Sequence, residues 1–162
     1  MGREIERKFL LANGDWRRAV GRSEAMSQGY LANDGTVSVR VRATGAKAWL
    51  NIKAGGLVAA RDEFEYEIPF EEGRELLTRL CKRPLIEKTR HWVSYRGFEW
   101  EIDEFRGQNE GLIVAELELE REDQTFPRPS WLGMEVTDAP RYYNVKLVEY
   151  PYCEWNDAER SP

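Results

Sequence analysis

From Glu4 to about Arg121 the chain alternates with a period of two, and in strand after strand one whole face of the alternation is charged. Successive side chains of a strand point to opposite sides, whereas a helix brings residues three and four apart together. Glu4, Glu6 and Lys8 thus oppose Ile5, Arg7 and Phe9, while Val37, Val39 and Val41 oppose Ser38, Arg40 and Arg42. Strands are expected over Arg3 to Leu11, Met26 to Leu31, Thr36 to Ala43, Lys47 to Lys53, Arg61 to Pro69, Pro84 to Tyr95, Phe98 to Phe105 and Leu112 to Arg121. Turn signals at Asn33-Asp34-Gly35, Gly45, Gly55-Gly56 and Gly97 fall between them, glycine supplying positive φ without a steric cost.

The period changes once, from Phe70 to Cys81, where Leu76, Leu77 and Leu80 fall at helical spacing beside Glu71, Glu72, Arg74 and Glu75. Beyond Arg121, Pro127, Pro129, Pro140 and Pro151 exclude a central strand and indicate short helices and turns. Trp131, Leu132, Val136, Tyr142, Tyr143, Val145 and Leu147 give that tail an apolar surface to pack on the sheet. The class is mainly β with packed helices (α+β), and about eight hairpin-linked antiparallel strands suit either a sandwich or a closed barrel.

At 162 residues, with no linker or repeat, residues 1–162 are expected to form one domain. The net charge of −5 argues against general binding to nucleic acid or to anionic lipid, so any anion site must be local. No stretch approaches the roughly 20 apolar residues of a membrane span, and Arg3, Glu4, Glu6, Arg7 and Lys8 interrupt any secretory signal. Cys81 and Cys153 lack zinc-site spacing and are expected to be reduced thiols in the cytoplasm. His91, the only histidine, rules out any site needing two His ligands. It falls on the face opposite Lys88 and Arg90. Cys81, ending the helix, reads as a small buried apolar residue.

A charged strand face is usually a solvated outer face. Here, however, the signs are segregated, although mixing them within a strand would stabilise the sheet at no loss of solubility. Arg40, Arg42, Lys53, Lys88 and Arg90 make a cationic wall; Glu4, Glu6, Glu63, Glu65, Glu101, Asp103, Glu116 and Glu118 make a carboxylate wall. Closing the sheet would bring both around one cavity. Carboxylates suit Mg²⁺ or Mn²⁺, Arg and Lys suit phosphate oxygens, and a metal-bridged polyphosphate satisfies both walls. The opposite faces, with Ile5, Phe9, Val37, Val39, Val41, Leu50, Ile52, Phe64, Tyr66, Leu117 and Leu119, would then need covering from outside.

The opening Glu4-Ile5-Glu6-Arg7-Lys8 resembles the Glu-x-Glu-x-Lys signature of the CYTH superfamily, the triphosphate tunnel metalloenzymes. The resemblance continues through Gln28-Gly29-Tyr30-Leu31, Val39-Arg40-Val41-Arg42, Asn51-Ile52-Lys53, Glu63-Phe64-Glu65, Glu87-Lys88-Thr89-Arg90, Glu101-Ile102-Asp103, Ala115-Glu116-Leu117-Glu118, Trp131-Leu132-Gly133 and Arg141-Tyr142-Tyr143-Asn144. It implies an eight-stranded antiparallel barrel with a charged interior and a divalent metal, Mg²⁺ or Mn²⁺. By the same resemblance, Lys8, Arg40, Arg42, Lys53, Lys88 and Arg90 bind phosphate. Glu4, Glu6, Glu63, Glu65, Asp103, Glu116 and Glu118 serve as metal ligands, directly or through water.

The short single-domain bacterial branch that this sequence resembles mostly hydrolyses inorganic triphosphate. Lys53 is a candidate base, since crowding by Arg40 and Arg42 disfavours its charged form and Tyr30 is placed to hydrogen-bond it. The competing readings are a phosphate contact for Lys53 and strand-end packing for Tyr30. Trp49 and Trp92 either stack a base or thiazole at the mouth or pack in the core. Thiamine triphosphatase, CYTH-type adenylyl cyclase and a non-catalytic polyphosphate-binding module stand as alternatives. The expected partners are a small-molecule triphosphate and, as an alternative to the monomer, a second copy of the chain in a homodimer.

Overall fold

The computed structural model describes residues 2–162; Met1, the first residue of the expected domain, lies outside them. In chain order the elements are β1 (Gly2–Leu11), a 3-10 turn Asp15–Ala19, β2 (Val20–Asn33), β3 (Val37–Ala43), β4 (Ala48–Ala54), β5 (Ala60–Ile68) and α1 (Phe70–Arg79). Then come β6 (Ile86–Tyr95), β7 (Phe98–Phe105), β8 (Ile113–Glu118), β9 (Leu132–Glu135), α2 (Asn144–Glu149) and α3 (Asp157–Arg160). The antiparallel order β5-β4-β3-β2-β6-β7-β8-β1 returns on itself because β1 also pairs with β5. Eight strands therefore close into a ring, which decides between the two architectures that alternation alone permits. Glu4 lies opposite Arg61 across the closing seam, and Lys8 opposite Glu116 on the other side of β1.

Closure turns the charged faces inward. The outward faces of β1, β7 and β8 bury Ile5, Phe9, Trp100, Ile102, Ala115 and Leu117 against Trp16, Trp131 and the segment around Phe126. On the far side α1 lays Leu77 over Val41, Ala43 and Ala48. Beyond α1 the outer sheet is barer than expected: Val37 is 36% and Tyr66 55% exposed, with Val39, Leu50, Ile52 and Phe64 only partly covered.

Several boundaries differ from the alternation reading. β2 begins at Val20, six residues before Met26, and runs along β6 from Val93 to Ile86. Gly21, Arg22 and Ser23 are all exposed there, so the segment carries no apolar period to read. The helix stops at Arg79 and β8 at Glu118. The proline-rich tail contains a strand after all, β9, which pairs with β1 through Leu132 and Leu11. Gly133 permits the approach, since a Cβ there would stand 2.8 Å from the Leu10 carbonyl oxygen.

The tail also does more than coat the sheet. Ile86, Phe105 and Val114 share the inward faces of Lys88, Glu101 and Glu116, and together with Tyr30 they form one buried cluster with Tyr142, Tyr143, Val145 and Leu147. The interior is thus charged along most of its depth and apolar at one end, where α2 closes it.

Gly73 is the tightest packing point of α1, its absent Cβ falling 2.3 Å from the Ala48 Cβ. Gly73→Val should lower the unfolding free energy by about 2 kcal/mol or more in urea titration, because overpacking outweighs the small gain in helix propensity. Gly14→Ala, with nothing within 4 Å, serves as the neutral control.

Candidate functional site

The ring encloses a cavity of about 390 Å³. Eight Lys or Arg and seven Glu side chains line it, while the protein as a whole is acidic. β1 contributes Glu4, Glu6 and Lys8; β3 contributes Ser38, Arg40 and Arg42; β4 contributes Asn51 and Lys53; β5 contributes Arg61, Glu63 and Glu65. Lys88, Arg90, Glu101, Glu116 and Glu118 complete the wall, and Tyr30, Tyr143 and Asn144 lie against it. Every residue expected to bind phosphate therefore faces one space.

Most of these charges are paired. Lys53 donates to both oxygens of Glu4 at 2.8 Å and stands 3.8 Å from Glu63. Arg61 reaches Glu4 at 3.3 Å. Lys8 bridges Glu6 (2.9 Å) and Glu116 (2.8 Å), and burial works against its charge but the two carboxylates outweigh it, so its pKa is raised. Arg90 clasps Asp103 through Nε (2.7 Å) and a terminal nitrogen (2.9 Å), and also meets Glu101 and Glu116. Arg42 touches Glu65 at 3.4 Å; burial and the neighbouring Arg40 guanidinium lower its pKa.

Arg40 is the exception, having no ion pair among the described residues. The Nε atoms of Arg40, Arg42 and Arg61 are all buried without a hydrogen-bond acceptor. A buried N–H left unmade costs roughly 1–3 kcal/mol. Three such donors belong to residues of one cavity, which is suited to an oxyanion with many acceptor oxygens.

Lys88 and Asp103 are 2.5 Å apart, yet both have depressed pKa values. Asp103 faces two cations, whereas Lys88 faces one bonded carboxylate and the Arg90 guanidinium. Burial, reinforced by Arg90, therefore prevails over Asp103 and brings Lys88 down to about 8. Glu118 moves the other way, raised by burial and then by Glu4, Glu6 and Glu63. Four carboxylates repelling one another mark where an added cation would be welcome. Glu101 is raised as well, by burial and by Glu116, Asp103 and Glu6 against the pull of Arg90.

Several expected placements change. Asp103 has no exposed surface and does not line the cavity; both of its oxygens are held by Lys88 and Arg90, so it stands as their counter-ion rather than as an accessible ligand. Tyr30 does not hydrogen-bond Lys53: it lies across from Arg40, while the Lys53 ammonium is turned to Glu4. Burial raises the Tyr30 phenol, which keeps it a donor. Trp49 and Trp92 do not line the cavity and instead carry Arg42 (5.2 Å) and Arg22 (3.7 Å) over their rings. His91 lies outside the ring, as its face requires, bonded to Ser23 (2.7 Å) and Glu104 (3.2 Å). Cys81 is buried and Cys153 exposed, both as free thiols.

Arg61 is missed by the motif reading, and Asn144 stands at the end of its last motif without a role. Arg61 shares the parity of Glu63 and Glu65, which is the signal that would have found it. Asn144 comes from outside the sheet, accepting from Gln28 at 2.8 Å and from Lys88 at 3.2 Å, and no strand periodicity announces that. Among the described residues no three Asp, Glu, His or Cys form a ready-made metal cage, and no helix is long and apolar enough to cross a membrane.

A CYTH-domain family model matches residues 2–144. The chain is 46% identical over 157 residues to an inorganic triphosphatase of Acetivibrio thermocellus, covering 97% of this chain and all of the relative. It is 34% identical over 150 residues to an inorganic triphosphatase of Nitrosomonas europaea, covering 90% and 96% of the two chains. A crystal structure of an inorganic triphosphatase superposes with a TM-score of 0.65 at 31% identity, over 91% of this chain and 95% of that one. A Pyrococcus horikoshii protein, 20% identical with a TM-score of 0.59 over 74% and 80% of the two chains, shares the fold alone. A closed ring with a charged interior, the ordered motifs from Glu4 to Asn144 and these matches together place the chain in the CYTH family.

Proposed function

We propose that this chain hydrolyses a phosphoanhydride bond of inorganic triphosphate within the ring. The observation that carries the reading is the set of buried, acceptor-less guanidinium N–H groups of Arg40, Arg42 and Arg61 in a cavity with little apolar lining. The relatives named inorganic triphosphatases support the choice of substrate. Among the described residues no tryptophan lines the cavity, and its two tyrosines, Tyr30 and Tyr143, belong to the apolar cluster at its closed end, which favours the inorganic ligand over a nucleotide or thiamine triphosphate.

Phosphoryl transfer asks for charge neutralisation and in-line positioning more than for covalent chemistry. Arg40 and Arg42, with Lys8, Lys53, Lys88 and Arg90, supply the positive charge and orient the chain of phosphates. Glu4, Glu6, Glu63, Glu65, Glu116 and Glu118 are donors of the type that Mg²⁺ or Mn²⁺ takes, and such ions bind through one or two carboxylates plus substrate phosphates. Mutual repulsion around Glu118 fits that role, and the lack of a complete protein cage fits a cation that arrives with the substrate. When bound, the cation neutralises phosphate oxygens. A water held by the Glu118 group attacks the terminal phosphorus in line, its proton passes to a carboxylate, and pyrophosphate leaves. Glu118, whose pKa is raised by burial and its carboxylate neighbours, is the proton acceptor of that group. Lys53, turned to both oxygens of Glu4, acts as a phosphate contact rather than a base.

Phosphate release from inorganic triphosphate should require Mg²⁺ or Mn²⁺ and stop with excess EDTA, and ATP should yield no cyclic AMP. Arg40→Gln should lower kcat/KM by roughly 100-fold or more with an unchanged melting temperature, as expected for loss of a charge-assisted contact to the transition state. Unchanged triphosphate binding by the Arg40→Gln, Arg42→Gln double variant would sink the reading.

Lys53→Met should raise KM while leaving the shape of the pH–rate profile intact; loss of the profile's basic-form limb would instead restore Lys53 as the base.

A pH effect follows from Lys88, whose folded value of about 8 lies below the ordinary 10.5. The cavity loses one positive charge as pH rises through 8, so kcat/KM for the anionic substrate should fall above that point, and Lys88→Arg should remove this limb. Between 8 and 10.5 the unfolded chain binds the extra proton, so this group's contribution to stability becomes more favourable as pH rises. Urea titrations across that window in the wild type and Lys88→Arg would show it.

A further inference from the structure

Asn144 is the first residue of α2, the helix that closes the apolar end of the ring, and it lines the charged cavity beside Lys88. Its amide oxygen accepts from the Lys88 ammonium at 3.2 Å and from the Gln28 amide at 2.8 Å. An ammonium can only donate, so the Asn144 atom facing Lys88 must be the oxygen, and Gln28, sharing that oxygen, must present its NH₂ group. The arrangement leaves Gln28 Oε1 buried without a donor, in a side chain with no exposed surface. Such an orphan is destabilising, yet turning Gln28 over would only set its oxygen against that of Asn144. Lys88 thus fixes the orientation of both amides.

At the other end of the Asn144 amide, the NH₂ group donates to none of the described residues, and it is not sealed in as the Gln28 oxygen is. Lys88 also has a third N–H, since Asp103 and Asn144 take only two. Beneath this level the inward face is apolar: two residues along β6 stands Ile86, packed with Val145 and Leu147. One ammonium N–H and one neutral amide therefore stand together at the floor of the cavity. Glu118 is remote from them, standing about 13 Å along β8 from the apolar Val114 at a rise of about 3.3 Å per residue.

We propose that the Asn144 NH₂ group binds the inner end of the polyphosphate, donating with Lys88 to the oxygens of its terminal phosphoryl group. The proposal rests on the triphosphate-hydrolysis reading, in which the phosphorus attacked is the one nearest Glu118 and pyrophosphate leaves. The phosphoryl group at the floor is then the far end of that pyrophosphate. A terminal phosphoryl group offers three free oxygens and an internal one fewer, so paired donors above an apolar layer suit the end of a chain rather than its middle. Asparagine suits this place as aspartate would not. An aspartate would still accept from Lys88 and Gln28, but it has nothing to donate and its charge repels phosphate.

Asn144→Asp therefore preserves what a purely structural Asn144 would supply. Its melting temperature should match or exceed that of the wild type. Inorganic triphosphate, titrated calorimetrically in EDTA so that no turnover occurs, should bind to it at least about tenfold more weakly, as expected for loss of a hydrogen bond to a charged group. In turnover the variant should raise KM about tenfold and keep kcat within about threefold, because the contact lies away from the bond that breaks. NMR of isotope-labelled wild-type protein separates the hydrogen bond from the effect of the added charge. The side-chain NH₂ signal of Asn144, identified by its absence from Asn144→Asp, should move downfield and exchange more slowly with water when triphosphate is added in EDTA or pyrophosphate with Mg²⁺. A signal that ignores both ligands at saturation overturns the proposal, and so does wild-type affinity in Asn144→Asp. Wild-type protein that binds triphosphate without cleaving it would remove the hydrolysis reading alone, the amide contact being decided by the NMR titration; protein that binds neither ligand overturns both.

Discussion

Asp103 has no exposed surface, and both of its oxygens are held by Lys88 and Arg90. A buried ion is costly unless its partners are well placed, and removing one partner of a buried pair leaves the other uncompensated. This cluster therefore sets the position of the Arg90 guanidinium, which in turn meets Glu101 and Glu116, and Glu116 meets Lys8 on the neighbouring strand β1. From β6 through β7 and β8 to β1, the inner wall is one chain of charge pairs. Its members are also the groups that would bind substrate, so preorganising the site and keeping the ring interior charged but compensated are the same task.

The opposite arc of the ring is arranged differently. Among the described residues Arg40 has no carboxylate partner, Arg42 has one long contact, and the two side chains disfavour each other from neighbouring inward positions of β3. A cavity with fully paired cations would have no net pull on a polyanion; one with no pairs would be unstable without it. Pairing one arc and leaving the other short of acceptors satisfies both requirements. The acidic cluster around Glu118 is the complementary deficit, short of a cation as the Arg40 side is short of an anion. A metal-bound polyphosphate would relieve both deficits at once, and an oxyanion without a metal would relieve only one.

Much of this was legible because a period of two is an unambiguous instruction about faces. Once Glu4, Glu6 and Lys8 are on one side of a strand, the inward set of that strand is determined, and the same holds for Arg40/Arg42 and Glu63/Glu65. Closure itself is not a property of any strand, which is why barrel and sandwich read alike until β1 is seen pairing with β5. Side-chain parity also says nothing about depth: Asp103 and Glu101 share a face, yet Asp103 is sealed between two cations while Glu101 reaches the cavity. The start of β2 was illegible for the opposite reason, since Gly21 to Ser23 is exposed and only its backbone pairing with β6 makes it strand. Asn144 lay beyond reach because its role depends on where the tail docks.

That docking explains why the ring interior changes character along its length. Moving two residues along the inward face replaces Lys88 by Ile86, Glu116 by Val114 and Asp103 by Phe105, and at this level Tyr143, Val145 and Leu147 enter the core. An apolar layer under a charged cavity needs a polar transition. Asn144 supplies it, its amide oxygen accepting from Gln28 and from the Lys88 ammonium while its helix packs below. The Tyr143 ring lies 4.8 Å from Lys8 and 5.3 Å from Arg61, giving two buried cations an aromatic face in addition to their carboxylate partners. The tail thus ends the charged interior without stranding a charge, and it limits how far a polyphosphate can enter. A ring of strands alone would bind a chain of any length, whereas a ring with this floor favours one that is short.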